Sequence, residues 1–333
     1  MMNEDKTAKA KLMKSIIEKV KTFEKKPKLV LCEAWDERGL KATNYITRNN
    51  FAEIVMLGNS DKIKEVANKL NIDISNLEII DPETSGLAEE LAIALQKKRE
   101  HKGITIEKAR ELIKDVNYFG CMLALIGKVD GVVGSLICPT GDLMKPVLQL
   151  LRKGHVNEVA VWNDAKNNRV LFSSDSSLNI SPTSEELATI GINAGNVTKM
   201  FGFEPKVGFL SFSTYGSGGN FPEIQKVKKA IEIAKEKAPD LEFDGEFQFD
   251  AALNPEAAAK KCPDSKLGGK INTLIFPDLN SANIFAHGAF QISNAEFIFT
   301  ILAGLAKPVS ILGRTTDQES VTNMFIATAL QTR

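Results

Sequence analysis

Near the end of the chain, AKPVSILGRTTDQES (306–320) sets Arg314 directly after an apolar run ending in Gly313 and just before a cluster of hydroxyls and carboxylates. An arginine at the exit of a strand offers a planar fork of donors to an anion or a developing oxyanion. Asp317, Glu319 and Ser320 follow closely as part of an acidic, hydroxyl-bearing cluster, and Arg314 could equally be a surface residue on the way to a last helix. KKREHKGIT supplies a second basic group, Arg99, His101 and Lys102, which could hold a phosphate or could simply be a solvated helix end. STYGSGG presents Ser213 and Thr214 among exposed amides but lacks the GK[ST] ending of a Walker loop, and a plain glycine-serine turn explains it as well. FPDLNSAN places Asp278, Asn280 and Asn283 around a helix start, where capping is the simpler role. The carboxylates of DGEFQFD (Asp244, Glu246, Asp250) have no spacing that fixes a magnesium site or a glycosidase pair. His101, His155 and His287 are scattered, so no zinc site is expected, and Cys138 has no histidine at a diagnostic position. Trp35 and Trp162 read as core or cleft aromatics rather than stacking platforms.

The elements that must position these residues are those of an ordinary globular α/β chain. Its 333 residues suffice for two domains, with 43% hydrophobic and 25% charged residues. Lys+Arg and Asp+Glu stand at 42 each, which gives no electrostatic footprint for nucleic acid, so an anionic ligand needs a local cluster. The 4 cysteines form no CxxC and read as free thiols in a reducing compartment. The N-terminal stretch lacks a signal-peptide core and no run of apolar residues is long enough to span a bilayer, so a cytoplasmic protein is the expectation.

Helical spacing of Leu12, Ile16, Ile17, Val20 and Phe23 predicts a first helix over 5–25. Buried-type strands follow at 28–34, 52–58, 77–81 and 130–137, separated by helices: one at DERGLKATNYITRN, one capped by Ser60, one at 85–100, one at 106–126 capped by Thr105. CPTGDLMKPVLQLLRK reads as the helix after the fourth strand. NEVAVWND and NRVLFSS flank the polar turn AKNN and read as a hairpin. Beyond Pro182 come a helix, a strand at 206–212, a helix at 222–237, DGEFQFDAALNPEAAAKK leading into another helix, a strand at 271–278, helical stretches around 280–305, the strand KPVSILG and a last helix at 318–331. Alternating strand and helix predicts mostly parallel sheets covered on both faces. Ligands then collect beyond the carboxyl ends of strands, where Glu33, Asp36, Thr140, Lys145, Ser213, Thr214, Asp278 to Asn283 and Arg314 all fall.

Taken in order, EAWDERGLKA, RxHKGIT, YFGCML, DGVVGSLxxPTGD…KPxLQ, FSTYGSG, DGEFQFDAALNPEAA, GGKINTLIFPDLNSANI and LAGLAKPVSILGRT resemble the phosphate acetyltransferase family, which includes phosphate butyryltransferases. The resemblance runs from about 28 to 331, with DGEFQFDAA and FPDLNSANI its most specific blocks, closer to the acetyl branch. It implies two Rossmann-like α/β domains with a cleft between them, the first made of 1–153 plus 295–333 and the second of 154–294, usually as a homodimer. The implied activity is reversible transfer of an acetyl or short acyl group between coenzyme A and inorganic phosphate. Coenzyme A is then a substrate, acyl phosphate the other partner, and no permanently bound cofactor, metal, membrane or nucleic acid is involved. On this resemblance Arg314 is the family arginine at the carbonyl, and Arg99 and Lys145 are basic residues for phosphate, Lys145 standing where arginine is common. Ser213, Thr214, Asn283 and Gly313 line the substrate site. The chain departs from the pattern at the family serine, here Gly313, and at the family aspartate that assists thiol deprotonation, here Ser320, with Asp317 or Glu319 as nearby carboxylates. Tyr215, Ala286, His287 and Gln291 depart too. The alternative reading is a non-catalytic or diverged homologue that binds coenzyme A or a protein partner.

Overall fold

A computed structural model describes residues 6–293 and 295–333. The first helix, α1 (Ala8–Lys21), buries Leu12, Ile16 and Val20 on one face. An alternating series follows: β1 (Lys28–Leu31), α2 (Glu37–Arg48), β2 (Glu53–Leu57), α3 (Ser60–Lys69), β3 (Glu78–Ile80), α4 (Ala88–Arg99), α5 (Ile106–Ile113), α6 (Val116–Leu125), β4 (Gly131–Gly134) and α7 (Thr140–Pro146). Then come β5 (Arg152–Asp164), β6 (Arg169–Ser174), α8 (Ser184–Met200), β7 (Lys206–Leu210), α9 (Pro222–Lys237), β8 (Glu242–Phe247), α10 (Phe249–Leu253), α11 (Pro255–Lys261), β9 (Thr273–Ile275), α12 (Leu279–Ile292) and β10 (Ala295–Leu305). The chain closes with β11 (Val309–Ile311) and α13 (Gln318–Leu330).

Two compact units result, each with its own sheet. The first comprises Lys14–Lys153 and Leu305–Arg333, and the second Gly154–Gly304 with the described residues up to Met13. The first sheet has the order β11-β4-β1-β2-β3, and all four pairings are parallel. Its strands are short and apolar on both faces, as helices on both sides demand. The second sheet has the order β10-β5-β6-β9-β7-β8. Its β5–β6 pair is antiparallel about the turn at 165–168, while β6–β9, β9–β7 and β7–β8 are parallel. The fold is therefore α/β with mostly parallel sheets. Phe119 and Phe325 fill the first core, and Phe172, Phe201, Phe209 and Phe247 the second.

Local chemistry revises several sequence expectations. Asn59, not Ser60, caps α3, accepting from the Lys62 amide at 3.1 Å. The helix expected at 106–126 divides, because Asp115 caps a new helix by accepting from the amides of Asn117 and Tyr118. Proline at 146 lacks an amide donor, and the helix widens there into a π-type turn at Val147–Leu151. DGEF lies inside β8 rather than in a loop leading to a helix. Helix α12 stops at Ile292, and Ala295–Leu305, expected as helix and assigned to the first domain, is a strand adjoining β5. The return to the first unit therefore comes at Leu305 rather than at residue 295.

Candidate active site

In the first sheet the exits of β11, β4 and β1 lie side by side, and the chain switches direction of winding between β1 and β4. That switch point is where an open parallel sheet leaves a crevice. Glu33 follows β1 with φ 57° and is 3% exposed. Its carboxylate accepts three amides of the β4 exit loop, from Leu136 at 2.7 Å, Ile137 at 3.1 Å and Cys138 at 2.5 Å. The loop that would otherwise expose unpaired donors is thus folded around one buried charge. Burial, aided by the Glu33 charge, pushes the Cys138 thiol up to about 11, which removes it as a nucleophile near neutral pH. Burial likewise raises the Asp115 carboxyl above its ordinary value, with Asp142 and Glu33 adding to the effect against the two capping amides.

Arg314 leaves the exit of β11 with its side chain exposed. The strand beneath it is fixed to α13 by the Ser310–Thr328 hydroxyl pair, 2.6 Å apart and buried. The intervening loop closes on itself, the Gly313 amide donating to Thr316 Oγ1 at 2.8 Å and the Thr316 amide to the Gly313 carbonyl at 3.0 Å. Asp317 is the N-cap of α13, and its carboxylate accepts both the Ser320 amide (2.9 Å) and the Ser320 hydroxyl (2.7 Å). The two residues three apart in sequence therefore form one hydrogen-bonded pair on the first turn. Burial pushes the Asp317 carboxyl up, but the Ser320 hydrogen bonds outweigh it and hold the group below the ordinary carboxylate value. Glu319 is exposed in the same turn.

Arg99 ends α4, and its Nε is buried with no hydrogen-bond partner among the described residues. Burial and the Asp115 charge raise the Tyr118 hydroxyl above its ordinary value against the opposing Arg99 charge, and this hydroxyl donates to Gln149 Oε1 at 3.0 Å. Lys145 is exposed in the last turn of α7, four residues before Gln149.

Ser213, Thr214 and Asn283 belong to the second unit. The Ser213 hydroxyl is buried, donating to Glu246 Oε1 at 2.8 Å and accepting from the Gly218 amide at 2.9 Å. Thr214 Oγ1 accepts from the Gln248 amide at 2.8 Å. Both hydroxyls are thus committed to the framework of their own loop, which turns through Tyr215 at φ 49°. Tyr215 donates to Asp244 at 2.8 Å and its hydroxyl is pushed up to about 12, mainly by burial. Asn283 is exposed on α12 and donates to the Ser176 carbonyl at 3.2 Å. Glu246, 1% exposed, reads in sequence as one of three carboxylates lacking the spacing of a metal site or a glycosidase pair, inside the DGEFQFDAA block; the structure gives it the Ser213 hydroxyl and the Gly216 amide (2.7 Å). Among the described residues no three His, Cys, Asp or Glu side chains converge as metal ligands.

Residues 11–329 match a family described as phosphate acetyl/butaryl transferase. The phosphate acetyltransferase of Clostridium acetobutylicum is 40% identical over 315 residues, covering 92% of this chain and 94% of the relative. That of Bacillus subtilis is 40% identical over 324 residues, covering 97% and 99%. Among solved structures, the phosphotransacetylase from Streptococcus pyogenes superposes with a TM-score of 0.92 at 37% identity, covering 97% of this chain and 98% of that one. The EutD phosphotransacetylase from Staphylococcus aureus gives 0.90 at 36% identity, covering 98% and 99%.

Proposed function

The chain belongs to the phosphate acetyl/butaryl transferase family, and we propose that it transfers an acetyl or other short acyl group reversibly between coenzyme A and inorganic phosphate. The observation that carries the reading is the exposed Arg314 at the exit of β11, one loop away from the Asp317–Ser320 pair. In the acyl-phosphate direction the coenzyme A sulfur attacks the acyl carbonyl carbon, its proton passing to the Ser320 hydroxyl as that hydroxyl gives its own to Asp317. Asp317 is held ionised near neutral pH, as an acceptor must be. Negative charge gathers on the carbonyl oxygen, where the Arg314 guanidinium stabilises it. The carbon–oxygen bond to phosphate then breaks with its electron pair, and the released phosphate is taken by Arg99, whose buried Nε has no hydrogen-bond partner among the described residues, and by Lys145. Ser213, Thr214 and Asn283 belong to the second unit, where the two hydroxyls shape their own loop, while Gly313 contributes backbone beside Arg314 in the first.

The same reading makes coenzyme A and phosphate or acyl phosphate the partners, with no permanently bound cofactor, and places the protein in the cytoplasm. Among the described residues no helix is long and apolar enough to cross a membrane. A homodimer is supported by the exposed apolar side chains of α12, Ile284 at 71% and Ile292 at 88%, and light scattering of the purified protein tests it against a monomer. The activity is tested by following acyl-coenzyme A formation from acetyl, propionyl and butyryl phosphate. Turnover with at least one is expected, and Arg314→Ala should lower kcat by about 100-fold or more. No turnover at high enzyme concentration defeats the reading, and coenzyme A binding without turnover turns it into a binding homologue.

A further inference from the structure

Arg38 sits in the first turn of α2, and its side chain is 23% exposed. One edge of the guanidinium faces Asp36, with Nε at 3.1 Å from Oδ1 and Nη2 at 2.9 Å from Oδ2. Asp36 is itself fixed, because its Oδ1 also caps α2 through the amides of Arg38 and Gly39. The other donors turn outward to backbone carbonyls. Nη2 reaches the Leu136 carbonyl of the β4 exit loop at 2.8 Å. Nη1 reaches the carbonyls of Arg314 and Thr316, both at 2.9 Å, with that of Gly313 at 3.5 Å. The Gln318 side chain returns a bond to the Arg38 carbonyl at 3.2 Å. One side chain therefore satisfies carbonyls on both sides of the Arg314 Cα and joins them to the loop that Glu33 folds.

We propose that Arg38 is the positioning residue of this site, fixing the backbone from which Arg314 projects so that its guanidinium meets the carbonyl oxygen. This rests on the reading of Arg314 given above. The chemistry requires arginine: only a planar fork pairs side-on with Asp36 while its remaining donors reach separate carbonyls. A lysine keeps the charge and one or two of these bonds but leaves the loop carbonyls unpaired. A catalytic group displaced by about 1 Å forfeits on the order of 100-fold in rate. The loss should fall on kcat, because the Arg38 donors are taken by Asp36 and by backbone carbonyls and leave none for a substrate.

Arg38→Lys tests this with two readouts. Hydrogen exchange at the amides of Gly313 and Thr316, both hydrogen-bonded inside the loop, should quicken by about tenfold or more while α13 exchanges as before. Unchanged exchange at these amides overturns the positioning role whatever the activity. In turnover, Arg38→Lys should lower kcat by about 10- to 100-fold with little change in KM, and the loss should shrink to near nothing in an Arg314→Lys background. Additive losses, or full activity of Arg38→Lys, overturn the proposal. If Arg314→Lys and Arg314→Ala alone both retain wild-type turnover, the role given to Arg314 is wrong, and the exchange result still decides whether Arg38 holds the loop.

Discussion

At residue scale the informative positions are 317 and 320. Asp317 caps α13 and the Ser320 hydroxyl donates to it, so the cap itself is a carboxylate in direct contact with that hydroxyl. Removing it has a pH signature whose sign follows from its lowered value. A carboxyl depressed in the folded state stabilises above its unfolded value, near 3.8, and that contribution disappears as pH falls through the lower folded value. Asp317→Asn keeps a cap acceptor but removes its charge, so it should be less stable than wild type at neutral pH by about 0.3–1 kcal/mol and converge with it as falling pH protonates the wild-type carboxylate, read by denaturant melts across pH. Parallel curves at all pH values would count against an ionised cap. A second carboxylate placed by Ser320→Asp would face the first across the present 2.7 Å contact, so one of the two must titrate upward. The acidic limb of its pH–rate profile should move up by about one unit, and adding Asp317→Asn should move it back. Gly313→Ser is compatible with the loop if Thr316 yields slightly, since an added Cβ would lie 3.3 Å from Thr316 Oγ1.

At the scale of elements, what was legible followed local pattern. Short apolar runs between amphipathic stretches marked β1, β2, β4, β7 and β11, and the polar turn before β6 marked the hairpin. Ala295–Leu305 reads as helix from sequence yet forms a strand, because AEFIFTILAGL has neither clean alternation nor a glycine or proline stop directly before it, and a run of that kind fits a buried helix equally well. The site divides in the same way. Arg314, Asp317 and Ser320 interact within one turn and could be read together, whereas Arg38 meets the Arg314 carbonyl across 276 residues and Glu33 meets Leu136 across 103. No local spacing reports such pairs, and the sequence shows Glu33 and Asp36 as polar residues at a strand exit and within the EAWDERGLKA block, without their partners. Glu33 supports a prediction about its loop. In Glu33→Gln the amide nitrogen replaces an acceptor, leaving at least one of three loop amides facing a donor. About 2 kcal/mol of stability should be lost, or about 4–8 °C in the melting temperature, with kcat lowered by more than fold loss explains. A melt within one degree of wild type would show that the loop does not depend on this carboxylate.

At the scale of the whole molecule, charge is balanced at 42 of each sign, so no general field gathers an anionic substrate. Affinity for coenzyme A and phosphate has to come from fixed local donors, of which Arg99, Lys145 and Arg314 all belong to the first unit. Two compact units with separate cores need not unfold in one step, and a ligand raises the stability of whatever unit it holds. At 100 times its dissociation constant, coenzyme A should add about 2.7 kcal/mol to the unit containing Arg314, a shift of about 5–11 °C. Calorimetry with and without coenzyme A reads this directly, and Phe325→Ala, which weakens the first core, identifies the transition that belongs to that unit. The shift should persist in Arg314→Ala if that arginine acts chiefly on the transition state, because a donor aimed at a developing charge adds little to ground-state binding. A shift abolished together with turnover would instead make Arg314 a binding residue, and an unshifted transition in the wild type would remove coenzyme A from the first unit altogether.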